Sequence, residues 1–329
     1  MNFWRTAQVA FVTVTLTVTV SLAGAQQPSP SSSTAVSSVP VDRQSLNDAW
    51  WTGPLLANGS TTLPRGHFLL EPYFYDIISP GSSTYGSSAF VLYGLINGFT
   101  VGVIPIVGYS TMSGGPSSSS LEIGDFSFLA QKRITQYHEG RRVPTIGFMV
   151  EEKFPTGKYD QLGNRPSNGQ GAGAYTTTLA LNTQTYFWMP NGRILRMRFN
   201  VSEAFSNNTV NVQNVSVYGT TAGFTGNAKP GATSYAVAAW EYSVTRRWVL
   251  ALDAAYTHNG NTSVTGYNTL DSNSVQDSNT GSSDVYTFAP AFEYNWKPTL
   301  GVIIGTRVVE LGRNISPSVA AVVAINFVH

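Results

Sequence analysis

The chain keeps returning to one pattern, a run of about ten residues alternating apolar and polar and then a turn. In 283–296, Tyr286, Phe288, Phe292, Tyr294 and Trp296 share one parity, and Thr287, Ala289, Ala291, Glu293 and Asn295 the other. Side chains alternate across a strand, so each such segment has one apolar and one polar face. Repeated through the chain, the pattern builds a sheet with a complete apolar surface, which either a second sheet or lipid must cover.

Composition bears on that choice. Charged residues are only 11% of the chain, against 42% hydrophobic, whereas soluble domains carry roughly a quarter charged residues. Tyr, Ser, Thr, Asn and Gly take the place of charge, as on a wall that must meet lipid. Lysine plus arginine (19) nearly balances aspartate plus glutamate (18), and nothing points to nucleic acid as a partner. With no cysteine, disulfides, thiolate chemistry and N-terminal lipid attachment are excluded. His67, His138, His258 and His329 form no metal-spaced pair, and no glycine-rich phosphate loop precedes a helix. No cofactor or metal is expected.

Arg5, the apolar run Val9–Val20 and the small-residue site Ala23-Gly24-Ala25 mark residues 1–25 as a cleaved signal peptide. Residues 26–45 read as a Ser/Pro-rich disordered linker, and 46–65 as a periplasmic or interfacial lead-in. A short helix is expected within Arg43–Trp51, with Trp50-Trp51 either anchored at the membrane interface or plugging the barrel from below, the former preferred. Residues 66–329 are expected to form the barrel, read as strands near 66–78, 86–96, 99–110, 121–134, 144–154, 175–188, 193–206, 233–245, 248–258, 284–297, 299–310 and 318–328.

The connections largely alternate between long and short. Asn97-Gly98, 190–192, Arg246-Arg247 and Pro298 are tight, while 79–85, 111–120, 155–174, 207–232, 259–283 and 311–317 are longer, and 135–143 is the least tidy case. Long loops on one end only are the mark of an up-and-down transmembrane barrel, here of about twelve strands, with short turns on the periplasmic side. An even count returns the C-terminus to that side. The expected location is therefore the bacterial outer membrane, with outer-membrane lipid as a partner. The final strand, ending Phe327-Val328-His329, is expected to engage the barrel-insertion machinery.

Charge parity tests this orientation, because Arg or Lys on the lipid face at mid-bilayer costs ~2–4 kcal/mol. Glu71, Tyr73, Asp125, Arg133, Glu151, Lys153, Arg196, Arg198, Glu241, Asp253, Glu293 and Arg307 all fall on the parity opposite the apolar one and are candidate lumen-lining residues. Asp76, Glu152, Glu203 and Glu310 break the rule near strand ends. Twelve strands lie between a side-chain-filled barrel and an open pore, so a narrow, partly occluded lumen is expected. Phe224, Tyr218 and Tyr267 are candidate contacts at the outer mouth.

Three strings resemble the outer-membrane family labelled MetA-pathway of phenol degradation proteins. Thr62–Glu71 resembles its Pro-x-Gly opening strand, Leu121–Phe126 its Gly-Asp strand entry, and Phe154–Tyr159 with Gly169–Ala174 its Pro-Thr-Gly loop and Gly-x-Gly return. The resemblance covers most of Leu63–Phe327. It implies an outer-membrane barrel and suggests uptake of small hydrophobic or aromatic molecules.

The sequence thus points to a channel or transporter for a small-molecule permeant, not an enzyme. A closed barrel acting as surface receptor, adhesin or structural component is the alternative, since the long loops also suit surface recognition. An esterase in the barrel wall would need a serine beside a histidine on its outer face; His258–Ser263 is the nearest run, but at a strand end running into a loop it reads as a solvated turn.

Overall fold

The computed structural model describes residues 42–270 and 274–329. The expected signal peptide and most of the Ser/Pro-rich tract lie outside them. One short 3₁₀ turn, Leu46–Asp48, stands where a helix was expected, and Pro166–Asn168 forms another.

The barrel wall is built from β1 (Phe68–Ser79), β2 (Ser82–Ile96), β3 (Phe99–Ile104) continued by β4 (Ile106–Met112), β6 (Phe126–Thr135), β7 (Thr145–Phe154), β8 (Thr176–Trp188) and β9 (Ile194–Ser206). It is completed by β12 (Thr233–Ser243), β13 (Trp248–Asn259), β16 (Ser283–Lys297), β17 (Leu300–Arg313) and β18 (Ser318–Val328). Every wall pairing is antiparallel between sequence neighbours, and β1 pairs with both β2 and β18. Counting β3 and β4 as one interrupted strand, twelve strands close the barrel.

The strand reading departs from the structure in three places. The first connection is tight, because Gly81 at φ +81° completes a Pro80-Gly81 turn and β2 starts at Ser82. The third strand breaks at Pro105, which has no N–H to give to the ladder. Past that break β4 leaves β6 and pairs instead with the two-residue β5 (Glu122–Ile123).

The apolar parity forms the outer wall. Phe74, Phe128, Phe148, Leu181, Phe199, Leu250, Leu252, Phe288, Phe292, Ile304 and Ile325 are all exposed. Each would gain about 1.5–3 kcal/mol from full burial, so a wall made of them requires an apolar surrounding. Aromatic pairs frame the belt, with the tilted rings of Trp248 and Tyr294 4.7 Å apart toward the short-turn end and those of Tyr256 and Tyr286 5.3 Å apart toward the long-loop end. Such girdles mark the two membrane interfaces.

The loops 207–232 and 259–283 are not irregular. They contain β10 (Val210–Gln213), β11 (Phe224–Lys229), β14 (Ser263–Asn268) and β15 (Ser274–Asn279), paired as a separate four-stranded antiparallel sheet. Val210, Val212, Phe224, Ala228 and Val264 form its buried core together with Ala174, and Tyr159 and Tyr218 pack against it. Phe224, 1% exposed, is therefore the centre of this lid rather than a contact at the mouth. The Tyr218 hydroxyl donates to the Ala172 carbonyl. Burial, with Asp125 and Tyr159 nearby, pushes its phenol up to about 12. Tyr267 alone of the three expected mouth contacts is exposed.

Candidate functional site

Segment 51–63 runs inside the barrel as a strap along its inner wall. It enters past the short turns. There Gln44 accepts a hydrogen bond on its carbonyl from Trp188 Nε1 (2.8 Å), and Trp50 N–H donates to the Arg246 carbonyl (3.0 Å). Arg246 lies over the Trp50 ring, and Arg43 over the Trp188 ring at 4.0 Å. Trp50 thus sits at the short-turn rim, while Trp51 continues inward and carries Arg196 4.5 Å from its ring centroid. The tryptophan pair joins the rim to the lumen rather than serving only as an interfacial anchor.

From there the strap meets the wall strands in turn. Thr52 and Gly53 N–H donate to Glu293 on β16 (2.6 and 3.2 Å). Leu55 and Ala57 N–H donate to the two oxygens of Asp253 on β13 (3.0 and 3.1 Å). Arg198 and Asn200 on β9 donate to the carbonyls of Ala57 and Asn58, both at 2.9 Å. Gln131 on β6 donates to the carbonyls of Gly59 and Thr61, and Leu63 N–H reaches Thr100 on β3. A strap that is not part of any sheet must find partners for its own backbone, and inward polar side chains supply them.

The wall also makes room. Leu55 packs against Ala251, Ala291, Ile303 and Ala324, and Leu56 and Ala57 against Val237, Ala239 and Ala255. Inward alanines on neighbouring strands are what lets a polypeptide lie flat there. At Gly94 a Cβ would stand 1.9 Å from the Pro64 carbonyl oxygen, so only glycine admits the strap as it leaves toward β1.

Behind the strap lies a charge cluster. Arg196 makes a two-pronged pair with Glu241, its Nε at 2.7 Å, and Arg198 Nε stands 3.2 Å from the same carboxylate. Glu241, Asp253 and Glu293 are fully buried. Buried charges are tolerated only when paired and hydrogen-bonded; the two guanidiniums serve Glu241, and the strap amides serve Asp253 and Glu293. Among the described residues of this region, Glu293 Oε1, Ser60 Oγ and Thr62 Oγ1 have no hydrogen-bond partner, and Arg198 Nε meets Glu241 only as an ion pair.

The strap leaves a cavity of about 270 Å³ between itself and the opposite wall. Glu71, Tyr73, Arg198 and Asn326 give it a polar side, and Phe90, Leu92, Leu129 and Met149 an apolar one. Glu71 holds a single hydrogen bond, from Asn326 at 3.0 Å.

Of the twelve residues expected to line the lumen, seven gather here: Glu71, Tyr73, Arg196, Arg198, Glu241, Asp253 and Glu293. The other five lie apart. Asp125 accepts from the Gly157 and Ala172 N–H groups and so fastens a long loop. Glu151 and Lys153 lie on the inner parity of β7, Arg133 near the end of β6, and Arg307 on β17 with a buried Nε lacking a partner. Sequence reading missed Gln131, Asn200, Thr100 and Asn295. Their signal was inward parity, but neutral polar residues were not weighed as partners for a backbone.

No protein-family model matches the chain, and no curated protein sequence is significantly similar to it. Among solved structures it is similar to the COG4313 outer membrane channel from Pseudomonas putida F1, with a TM-score of 0.62 at 12% identity over 84% of this chain and 100% of that one. At that identity the likeness concerns the fold: a twelve-stranded transmembrane barrel. Lower-scoring likenesses include the NanC porin (TM-score 0.43, 10% identity, 78% of this chain and 98% of that one). The TodX monoaromatic hydrocarbon channel is another (0.37, 12% identity, 81% and 90%).

Proposed function

We propose that the protein is a narrow channel of the bacterial outer membrane, in which the strap sets the bore and small molecules pass through the cavity beside Glu71, Tyr73 and Arg198. The observation that carries this reading is how the strap is held. Its contacts with β3, β6, β9, β13 and β16 are mainly hydrogen bonds between its backbone and wall side chains. Water or a polar permeant can replace such bonds, whereas an interlocked apolar core has no substitute partner. The one-sided cavity, half aromatic and aliphatic, suits small molecules with an apolar body and a polar group, in keeping with the hydrophobic or aromatic permeants suggested by the family resemblance.

In this reading residues 1–25 are a cleaved signal peptide, the short turns and both termini of the mature barrel face the periplasm, and β18 engages the insertion machinery. Conductance of purified protein in planar bilayers, together with uptake by cells expressing it, tests the proposal. Absence of both would overturn it.

The lid favours a second reading. A four-stranded sheet with its own buried core is more than a gate requires, and it gives the surface a rigid platform for recognition. Removing Asn259–Ser283 separates the two, since a channel becomes more open and a receptor loses its partner with permeability unchanged.

A further inference from the structure

A row of polar side chains crosses five adjacent strands on the outer, lipid-facing parity near the long-loop end. The register places Glu203 on β9 opposite Ser234 on β12, Ser234 opposite His258 on β13, His258 opposite Asp284 on β16, and Asp284 opposite Arg313 on β17. Nothing in the channel reading uses these residues. His258 Nδ1 and Asp284 Oδ1 are 2.8 Å apart, and Asp284 is held from two more sides by Tyr256 Oη and Arg313 Nε, each donating at 2.9 Å. A carboxylate fixed in this way can accept a hydrogen bond from Nδ1–H, the arrangement that leaves Nε2 to act as a base.

We propose that Ser234, His258 and Asp284 form a nucleophile, base and orienting group that acts on acyl esters at the membrane surface. Directly opposed residues on antiparallel strands have Cβ atoms about 4.5–5.5 Å apart. Ser234 Oγ therefore lies within side-chain reach of the imidazole, although the two are not hydrogen-bonded in the resting structure. Nucleophile–base bonds are commonly looser before substrate binds. Ser263, the serine nearest in sequence, pairs with Lys229 and Asn279 in the lid and plays no part.

The second observation is where an acyl chain would go. A groove of about 540 Å³ runs along the outer wall up to Ser234, lined by Phe148, Leu179, Leu181, Val201, Ala236 and Tyr256. It exists because Ser234 and Ala236 are small beside bulky neighbours. An ester at the lipid interface would thus rest its chain in the groove and its carbonyl at the polar row.

In the step itself, Ser234 Oγ adds to the ester carbonyl carbon while its proton passes to His258 Nε2. The bond from that carbon to the alcohol oxygen breaks, and the alcohol leaves with the proton. Water repeats the sequence on the acyl-serine and releases the fatty acid. Ser234 is ladder-paired on both sides, so no free strand N–H pair is offered to the oxyanion. Turnover is accordingly slow, resting on general-base assistance worth ~10²–10⁴-fold.

The test uses the full-length protein in detergent micelles and in phospholipid vesicles, with a fluorophosphonate as covalent probe and a phosphatidylethanolamine carrying a fluorogenic acyl ester as substrate. Labelling is expected at Ser234 and lost in both Ser234→Ala and His258→Ala, with ester hydrolysis falling about 100-fold or more. Asp284→Asn should lower kcat for ester hydrolysis with KM nearly unchanged, a split that a merely structural role would not produce. Heat-modifiable electrophoretic mobility checks that each variant folds, and Ser234→Ala should leave conductance unchanged. An unlabelled wild type, labelling at another serine, labelling indifferent to His258, or hydrolysis unchanged in Ser234→Ala each overturns the proposal.

Discussion

The strap and the lid are both non-barrel structures of this chain, and they are held in opposite ways. The strap lies in the lumen on backbone hydrogen bonds to Glu293, Asp253, Arg198 and Gln131. The lid is closed by a continuous apolar core around Phe224. The strap also packs Leu55, Leu56 and Ala57 against the wall, but its tethers, about 1.5–3 kcal/mol each where the acceptor is charged, can be replaced by solvent one at a time, while a continuous apolar core must break as a unit. On the channel reading proposed above, the strap is the part that moves, and the lid keeps its own fold.

Deleting residues 49–63 should have the largest effect. The bore widens, and Asp253 and Glu293 lose their four amide donors and face the lumen bare. Single-channel conductance should rise and selectivity turn toward cations, both read in planar bilayers under a salt gradient. An unchanged conductance would mean that the strap does not lie in the path.

Two substitutions of similar size then separate the regions. Glu241→Gln leaves Arg196 and Arg198 without their buried partner, at a cost of about 3–5 kcal/mol. Because Arg198 also holds Ala57, denaturant unfolding and conductance should both change. Phe224→Ala costs about 3–5 kcal/mol, but only in the lid. It should speed proteolysis within 207–232 and 259–283 while barrel mobility on gels is unaffected.

A smaller change isolates one tether. Asp253→Asn removes charge from the acceptor of two strap amides, and hydrogen bonds to charged groups contribute about 1.5–3 kcal/mol. The open population should rise roughly 10- to 150-fold, seen as longer open dwell times with the barrel's unfolding midpoint nearly constant.

The contrast between the two regions also explains what could be read in advance. Wall strands have a period of two, and a lipid-facing Phe292 or Leu250 must alternate with an inward Glu293 or Ala251, so β16 and β13 were legible almost to the residue. Inward charges followed from the same parity, which is why seven of the expected lumen residues meet around the strap. The strap has no period. Its partners are wall residues far away in the chain, Glu293 being 241 positions from Thr52, and they are reached mainly through its backbone, which every residue type shares. The lid strands are short and rich in Ser, Asn, Thr and Gly, a composition that also describes irregular loops, and only Val210, Val212, Phe224 and Val264 hinted at a core. The outward row from Glu203 to Arg313 is a matter of register between strands, which alternation within each strand does not specify.

The absence of native cysteine makes the central claim directly testable. Ala57→Cys and Ala239→Cys place one thiol on the strap and one on β12 within a single buried cluster. The oxidised protein in a planar bilayer is expected to hold a low, quiet conductance, and reduction to restore the larger fluctuating openings of the wild type. Equal conductance in the oxidised and reduced states, with the disulfide verified by mass spectrometry, would contradict it.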